Sequence, residues 1–132
     1  MKLLLDTHVW IWSVAVPSRL SRRVTSALTS SRNELWLSPV SVWEALALVE
    51  KGSLRVRGSA GEWVESALAA PGALRDAPLT REVALQSRRL PMQHQDPADR
   101  FIAATALVYG LTLVTADERL LAVPGLATLA NA

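Results

Sequence analysis

Apolar residues in this chain come in short blocks whose lengths alternate between strand-like and helix-like, with polar punctuation between them. Lys2 to Leu5 is a brief apolar run closed by Asp6, the pattern of a buried strand. Thr7 to Val16 predicts a first helix, closed by Pro17, and Ser21 to Ser30 a second with Val24, Ala27 and Leu28 on one face. Leu35 to Leu37 is a short strand. Ser38-Pro39 then opens a helix that runs to about Lys51 and stops at Gly52, since proline suits the first helical position and glycine the end. Gly58 to Gly61 reads as a turn before a helix carrying Trp63, Val64, Ala67 and Leu68. Leu74 to Ala77 is a candidate strand, and Thr80 to Leu90 is helical. The clearest helix starts at Asp96-Pro97 and ends at Tyr109, before Gly110. Leu111 to Thr115 is a strand, Asp117 to Leu121 a short helix, and Ala127 to Leu129 a final edge strand. Short apolar strands alternating with helices predict a single α/β domain over residues 1–132, a three-layer α/β/α stack around a short, mostly parallel sheet.

Composition narrows the chemistry. Half of the residues are hydrophobic and a fifth are charged, which excludes a disordered chain. With no cysteine, neither disulfides nor thiolate metal sites are available. The opening Met-Lys-Leu-Leu-Leu stops at Asp6, too soon for a signal peptide, and the uncharged stretch Phe101 to Ala116 is too short to span a membrane. A cytoplasmic protein with no membrane association is the expectation. The net charge is only +2, and Arg19, Arg22, Arg23, Arg32, Arg55, Arg57, Arg88 and Arg89 are scattered, so charge alone does not identify a nucleic-acid binder.

Four acids occupy positions of chemical interest. In a parallel sheet, sites form beyond the carboxyl ends of the strands. Asp6 follows the first strand, and Asp117 follows Leu111 to Thr115. Asp99 lies in the first turn of its helix and Glu44 in the second turn of the helix opened at Ser38-Pro39, so topology lets all four converge on one rim. Taken singly, each has a structural explanation. Asp6 can cap the helix at Thr7, and Asp96-Pro97-Ala98-Asp99 is cap-like, with Asp96 as the cap and Asp99 favouring the helix dipole. Thr115-Ala116-Asp117-Glu118 reads as a capping box with Glu118 as its acid and Asp117 left over. Ser41 to Glu44 also fits a box, although a cap at Ser38 puts Glu44 too deep to serve it.

The joint pattern points further. Clustered carboxylates repel one another and are tolerated where a cation joins them. Mg²⁺ and Mn²⁺ favour such oxygen ligands, and a pair of these ions can activate a water and stabilise the leaving oxygen in phosphodiester cleavage. Other chemistries are poorly represented: there is no zinc-spaced histidine pair, no glycine-rich phosphate loop and no nucleophile elbow. His8 is expected to pack locally or line the site, and His94 to order its loop. Trp10, Trp36, Trp43 and Trp63 are expected in the core, while Trp12 is either core or a platform for stacking bases.

Four segments, Leu3 to Trp10, Ser38 to Glu44, Asp96 to Ala106 and Leu113 to Asp117, stand in the order and spacing of PIN-domain proteins, and most resemble the VapC-type toxins of prokaryotic toxin–antitoxin pairs. The resemblance covers essentially the whole chain. It implies that Asp6, Glu44, Asp99 and Asp117 form a catalytic, metal-binding quartet supported by the Thr115 hydroxyl, with Mg²⁺ or Mn²⁺ as cofactor. It implies endoribonuclease action on RNA, self-association as a homodimer, and inhibition by a cognate antitoxin whose arginine enters the acidic pocket. Trp12, Val16 and Leu48 are candidate antitoxin contacts if exposed, with ordinary core the favoured alternative. Ala98 stands where relatives often carry an aromatic. Two other functions compete: a non-catalytic RNA- or protein-binding module on this fold, which predicts a missing acid, and a phosphatase using Asp6 as nucleophile, for which His8 replaces the usual second aspartate.

Overall fold

The computed structural model describes residues 1–69 and 73–132. Its strands are β1 (Lys2–Leu5), β2 (Glu34–Leu37), β3 (Leu74–Asp76), β4 (Thr112–Thr115) and β5 (Thr128–Ala130). The helices are α1 (Thr7–Ala15), α2 (Arg22–Thr29), α3 (Pro39–Glu50), α4 (Ala60–Ala69), α5 (Arg81–Arg89), α6 (Pro97–Tyr109) and α7 (Glu118–Leu121). A short 3₁₀ turn at Pro17–Arg19, which the sequence pattern does not announce, joins α1 to α2.

All strand pairs are parallel, and the sheet order is β3-β2-β1-β4-β5. Leu3, Leu4 and Leu5 of β1 pair with Thr112, Leu113 and Val114 of β4, while on its other side Leu3 and Leu4 pair with Leu35 and Trp36 of β2. The chain therefore winds outward through β2 and β3, returns, and winds the other way through β4 and β5. Its direction reverses between β1 and β4, where open α/β sheets form their sites.

Strand alternation builds two cores. Leu3 and Leu5 turn to one face, with Val9, Trp10, Val24, Leu37, Ala45 and Val64 from α1 to α4 and β2. Leu4 turns to the other, with Val83, Ile102, Ala103, Leu113, Leu120 and Val123. Central strands covered on both faces require continuous apolar runs, which explains the leucine block at the start of the chain. The three-layer α/β/α expectation is met.

Punctuation behaves as anticipated. Ser38 caps α3 with Pro39 at its first position, and Asp96 caps α6 with Pro97 following. Gly110 ends α6 in the left-handed conformation, φ 65°, which glycine adopts without a Cβ penalty. One core assignment fails: Trp43 is 67% exposed, whereas Trp10 is fully buried and Trp36 and Trp63 are partly buried. Helix α3 is apolar nearly all round, so its periodicity does not say which face is inward. Burial of Ser41 and Ala45 turns Trp43 outward.

Candidate active site

Asp6 and Asp117 follow the ends of β1 and β4, while Glu44 and Asp99 lie in the opening turns of α3 and α6. Asp6 leaves β1, and its backbone N–H donates to Val114 O on β4 at 3.0 Å. Its carboxylate is buried, 8% exposed, and held at both oxygens: Thr7 N donates to Oδ1 at 2.8 Å and the Thr115 hydroxyl to Oδ2 at 2.6 Å. Asp6 thus caps α1 and faces the cleft at once, so the capping and functional readings of this residue are not alternatives. Thr115, fully buried at the end of β4, also accepts from Asp117 N at 3.0 Å. One hydroxyl therefore fixes two of the acids.

Glu44 points from the second turn of α3 toward the α1 start, where its Oε1 accepts from the Thr7 hydroxyl; that hydroxyl lies 2.9 Å from the Ser41 hydroxyl. Asp99 sits in the first turn of α6, and its Oδ2 lies 3.2 Å from His94 Nε2. Asp117, not Glu118, caps α7: its Oδ1 accepts from Arg119 N at 2.9 Å. The capping box anticipated here is corrected accordingly, because the Thr115 hydroxyl takes the Asp117 N–H and leaves Asp117 to serve the helix.

Asp6, Glu44, Asp99 and Asp117 line one cleft of about 380 Å³, together with His8, Trp12, Asp96, Ala116 and Arg119. The structure therefore brings all four sequence-predicted acids together beside the β1–β4 switch point. Burial raises the Asp6 carboxyl above its ordinary range despite the Thr115 and Thr7 hydrogen bonds. Glu44 is raised by burial and by the charges of Asp99 and Asp6; Asp99 by burial and by Asp96 and Asp6. Asp117 differs. Burial pushes it up, but the side-chain and backbone hydrogen bonds from Arg119 outweigh burial and hold it below the ordinary range.

The donor set consists of hard carboxylate oxygens with no thiolate, which fits Mg²⁺ or Mn²⁺. As the side chains stand, however, no three His, Asp or Glu groups among the described residues are gathered tightly enough to grip one ion. Their oxygens are turned to Thr7, Thr115, His94 and Arg119 instead.

Two arginines escaped the sequence reading. Arg100, next to Asp99, is buried, and its guanidinium donates to four carbonyls: Ser87 at 2.9 Å, Met92 at 3.0 Å, and Leu90 and His94 at 3.2 Å each. It ties the α5–α6 loop to the site and so places His94 beside Asp99. The Asp99-Arg100 doublet was the available signal, since a charge at that register of α6 faces the core. Arg119 pairs with Asp117, two residues before it, at the cleft wall, and no sequence signal gives an exposed arginine's direction. His8 is exposed and lies 5.8 Å, centroid to centroid, from partly buried Trp12, over which Arg19 rests at 4.9 Å. Val16 is 42% exposed, whereas Leu48 packs partly buried against the core.

Comparison with known proteins decides the lineage. The PIN domain family model matches residues 3–126. This chain belongs to the PIN-domain family. It is 36% identical over 119 residues to "Ribonuclease VapC22" of Mycobacterium tuberculosis, covering 89% of this chain and 88% of that relative. Among solved structures, VapBC2 from Rickettsia felis bound to a DNA fragment from their promoter superposes with a TM-score of 0.73 at 17% identity, over 98% of each chain, a likeness of fold. FitAcB from Neisseria gonorrhoeae superposes with a TM-score of 0.66 at 25% identity, covering 98% of this PIN-domain chain and 97% of its own.

Proposed function

We propose that this PIN-domain chain is the ribonuclease toxin of a VapBC-type toxin–antitoxin pair, hydrolysing RNA phosphodiesters with Mg²⁺ or Mn²⁺ held by Asp6, Glu44, Asp99 and Asp117. The observation that carries this reading is the convergence of the four acids on one cleft, in a chain 36% identical to a VapC ribonuclease. When bound, a divalent cation supplies an acidified water and neutralises charge on the phosphate. Asp6 is the anchor, because Thr7 N and Thr115 fix both of its oxygens and leave lone pairs facing the cleft. Asp99 and Asp117 flank it, and Glu44 reaches in from α3, directly or through water. Trp12 at the cleft wall is a platform on which an unpaired base can stack if it takes the place of Arg19, which rests over the ring. In-line attack by water leaves a 5′-phosphate and a 3′-hydroxyl, and the RNA 2′-hydroxyl is not needed as a nucleophile.

The partner is an antitoxin that places an arginine among these carboxylates, a pairing favoured by the planar guanidinium. A homodimer accounts for the outward Trp43, which with Val40, Pro97, Ala98 and Phe101 lines an apolar groove between α3 and α6. Among the described residues no helix is long and apolar enough to cross a membrane, and the proposed site of action is the cytoplasm. Incubation of mixed RNA with the protein and increasing Mn²⁺, followed by end analysis, tests the reading. Metal-dependent cutting with 5′-phosphate ends is expected. Absence of cutting at any metal concentration favours a binding module, and 2′,3′-cyclic phosphate ends overturn the water mechanism.

A further inference from the structure

Among the described residues, one arginine lines the cleft. Arg119 extends from the first turn of α7, its side chain 61% exposed, and its Nε and Nη2 lie 3.3 and 3.1 Å from Oδ1 and Oδ2 of Asp117. The same Nη2 lies 3.7 Å from Oδ2 of Asp99. The guanidinium therefore bridges two of the four proposed metal ligands, from two different elements.

Its bonds differ in kind from those that hold Asp6 and Glu44. Asp6 and Glu44 accept from neutral donors, Thr7 and Thr115, that are themselves buried. Such donors orient a carboxylate and leave its remaining lone pairs for an ion. Arg119 instead carries a full charge on a flexible, exposed side chain, and it claims both oxygens of Asp117. For Asp117 and Asp99 to turn these oxygens toward a common ion, the Nη2 contacts must break, and Asp99 Oδ2 must also turn from His94 Nε2, which lies 3.2 Å away. The helix cap from Arg119 N to Asp117 Oδ1 can remain, since its donor is the Arg119 backbone N–H and not the guanidinium.

We propose that Arg119 is an intramolecular latch on the metal site: its guanidinium occupies the cation position between Asp99 and Asp117, and a divalent ion binds only by displacing it. The inference rests on the metal-binding reading above. It makes Arg119 a positioning residue that sets the metal concentration at which the site assembles. Exposed charge pairs are individually weak and screened by salt, so the latch yields to millimolar metal but is felt below it.

Calorimetric titration of Mn²⁺ alone into the wild-type chain, Arg119→Gln and Arg119→Lys, at low salt and neutral pH, tests this. Arg119→Gln should bind Mn²⁺ about three- to tenfold more tightly than wild type, with the gap closing as salt is raised. Arg119→Lys keeps the charge but loses the two-pronged pairing, so the latch predicts an affinity between the two. Thermal melts in the absence of metal check that each variant is folded, as expected for an exposed side chain. If wild type binds Mn²⁺ and Arg119→Gln binds equally or more weakly, the latch is wrong while the metal site stands. An Arg119→Lys affinity equal to wild type also overturns it, because simple charge repulsion then suffices. If none of the three binds Mn²⁺, the metal reading fails and the latch falls with it.

Discussion

Thr115→Val removes a single oxygen at nearly constant volume, and the structure gives that oxygen two partners. The Thr115 hydroxyl donates to Asp6 Oδ2 at 2.6 Å and accepts from Asp117 N at 3.0 Å. Asp6 is 8% exposed, so little water can replace the lost donor. A hydrogen bond to a buried charged group contributes about 1.5–3 kcal/mol, and a neutral one about 0.5–1.5. The variant should therefore lose about 2–4 kcal/mol of stability at neutral pH. At about 4 °C per kcal/mol for a domain of this size, its Tm should fall by roughly 8–16 °C. The deficit should also depend on pH. Asp6 is already raised by burial, and the Thr115 hydrogen bond is the foremost influence pulling it back. Without that bond the folded Asp6 carboxyl climbs further. A carboxyl raised on folding stabilises the protein fully below its unfolded value, and that contribution is lost as pH rises through the folded value. The gap to wild type should thus be smallest near pH 4 and grow by about 1 kcal/mol toward neutrality. Thr115→Ser should recover most of it. Urea or thermal melts from pH 4 to 7.5 without metal measure the gap directly. A constant deficit across that range would refute the assignment of the hydroxyl to ionised Asp6.

Two further outcomes follow from the same geometry. Arg100→Met fills much of the guanidinium's volume but leaves the Ser87, Leu90, Met92 and His94 carbonyls without their shared donor. It should cost about 3–5 kcal/mol in denaturant melts, and a loss under 1 kcal/mol would remove Arg100 from its structural role. Asp6, Glu44 and Asp99 are all raised, so without metal the wild-type chain should lose stability as pH rises from about 4 through their folded values; saturating Mn²⁺ should abolish that fall, and unchanged melts with and without Mn²⁺ would contradict it. Asp117, being lowered, works in the opposite sense and only at more acidic pH.

Much of this architecture was legible in the sequence because local signals agreed with the global fold. The leucine run of β1, the Ser38-Pro39 and Asp96-Pro97 helix starts and the Gly110 stop each have one economical structural meaning, and the structure adopts it. The acids were legible for a topological reason: Asp6 and Asp117 follow the two strands that flank the switch point. What remained hidden depended on rotation and reach. Trp43 lies on a helix with apolar residues on most sides, so no moment fixed its direction. Arg119 required knowing that α7 begins at the cleft mouth, and Arg100 that its register on α6 points inward among four carbonyls. At Asp6 and Asp117 the helix cap and a place in the cleft go together, so neither capping role excludes the ligand role proposed for them.

The central claim is that four carboxylates act as one metal-dependent RNA-cutting site, and isosteric neutralisation tests it most directly. Asp6→Asn, Glu44→Gln, Asp99→Asn and Asp117→Asn each remove a charge with little change in shape. All four proteins should remain folded, and Asp6→Asn should melt no lower than wild type without metal, because relief of burial and repulsion offsets its altered hydrogen bonds. RNA cleavage at saturating Mn²⁺ should fall by about 100-fold or more in each, a loss of roughly 2.7 kcal/mol or more of transition-state stabilisation. Folded Asp6→Asn or Asp99→Asn protein that cuts RNA at the wild-type rate would contradict the account.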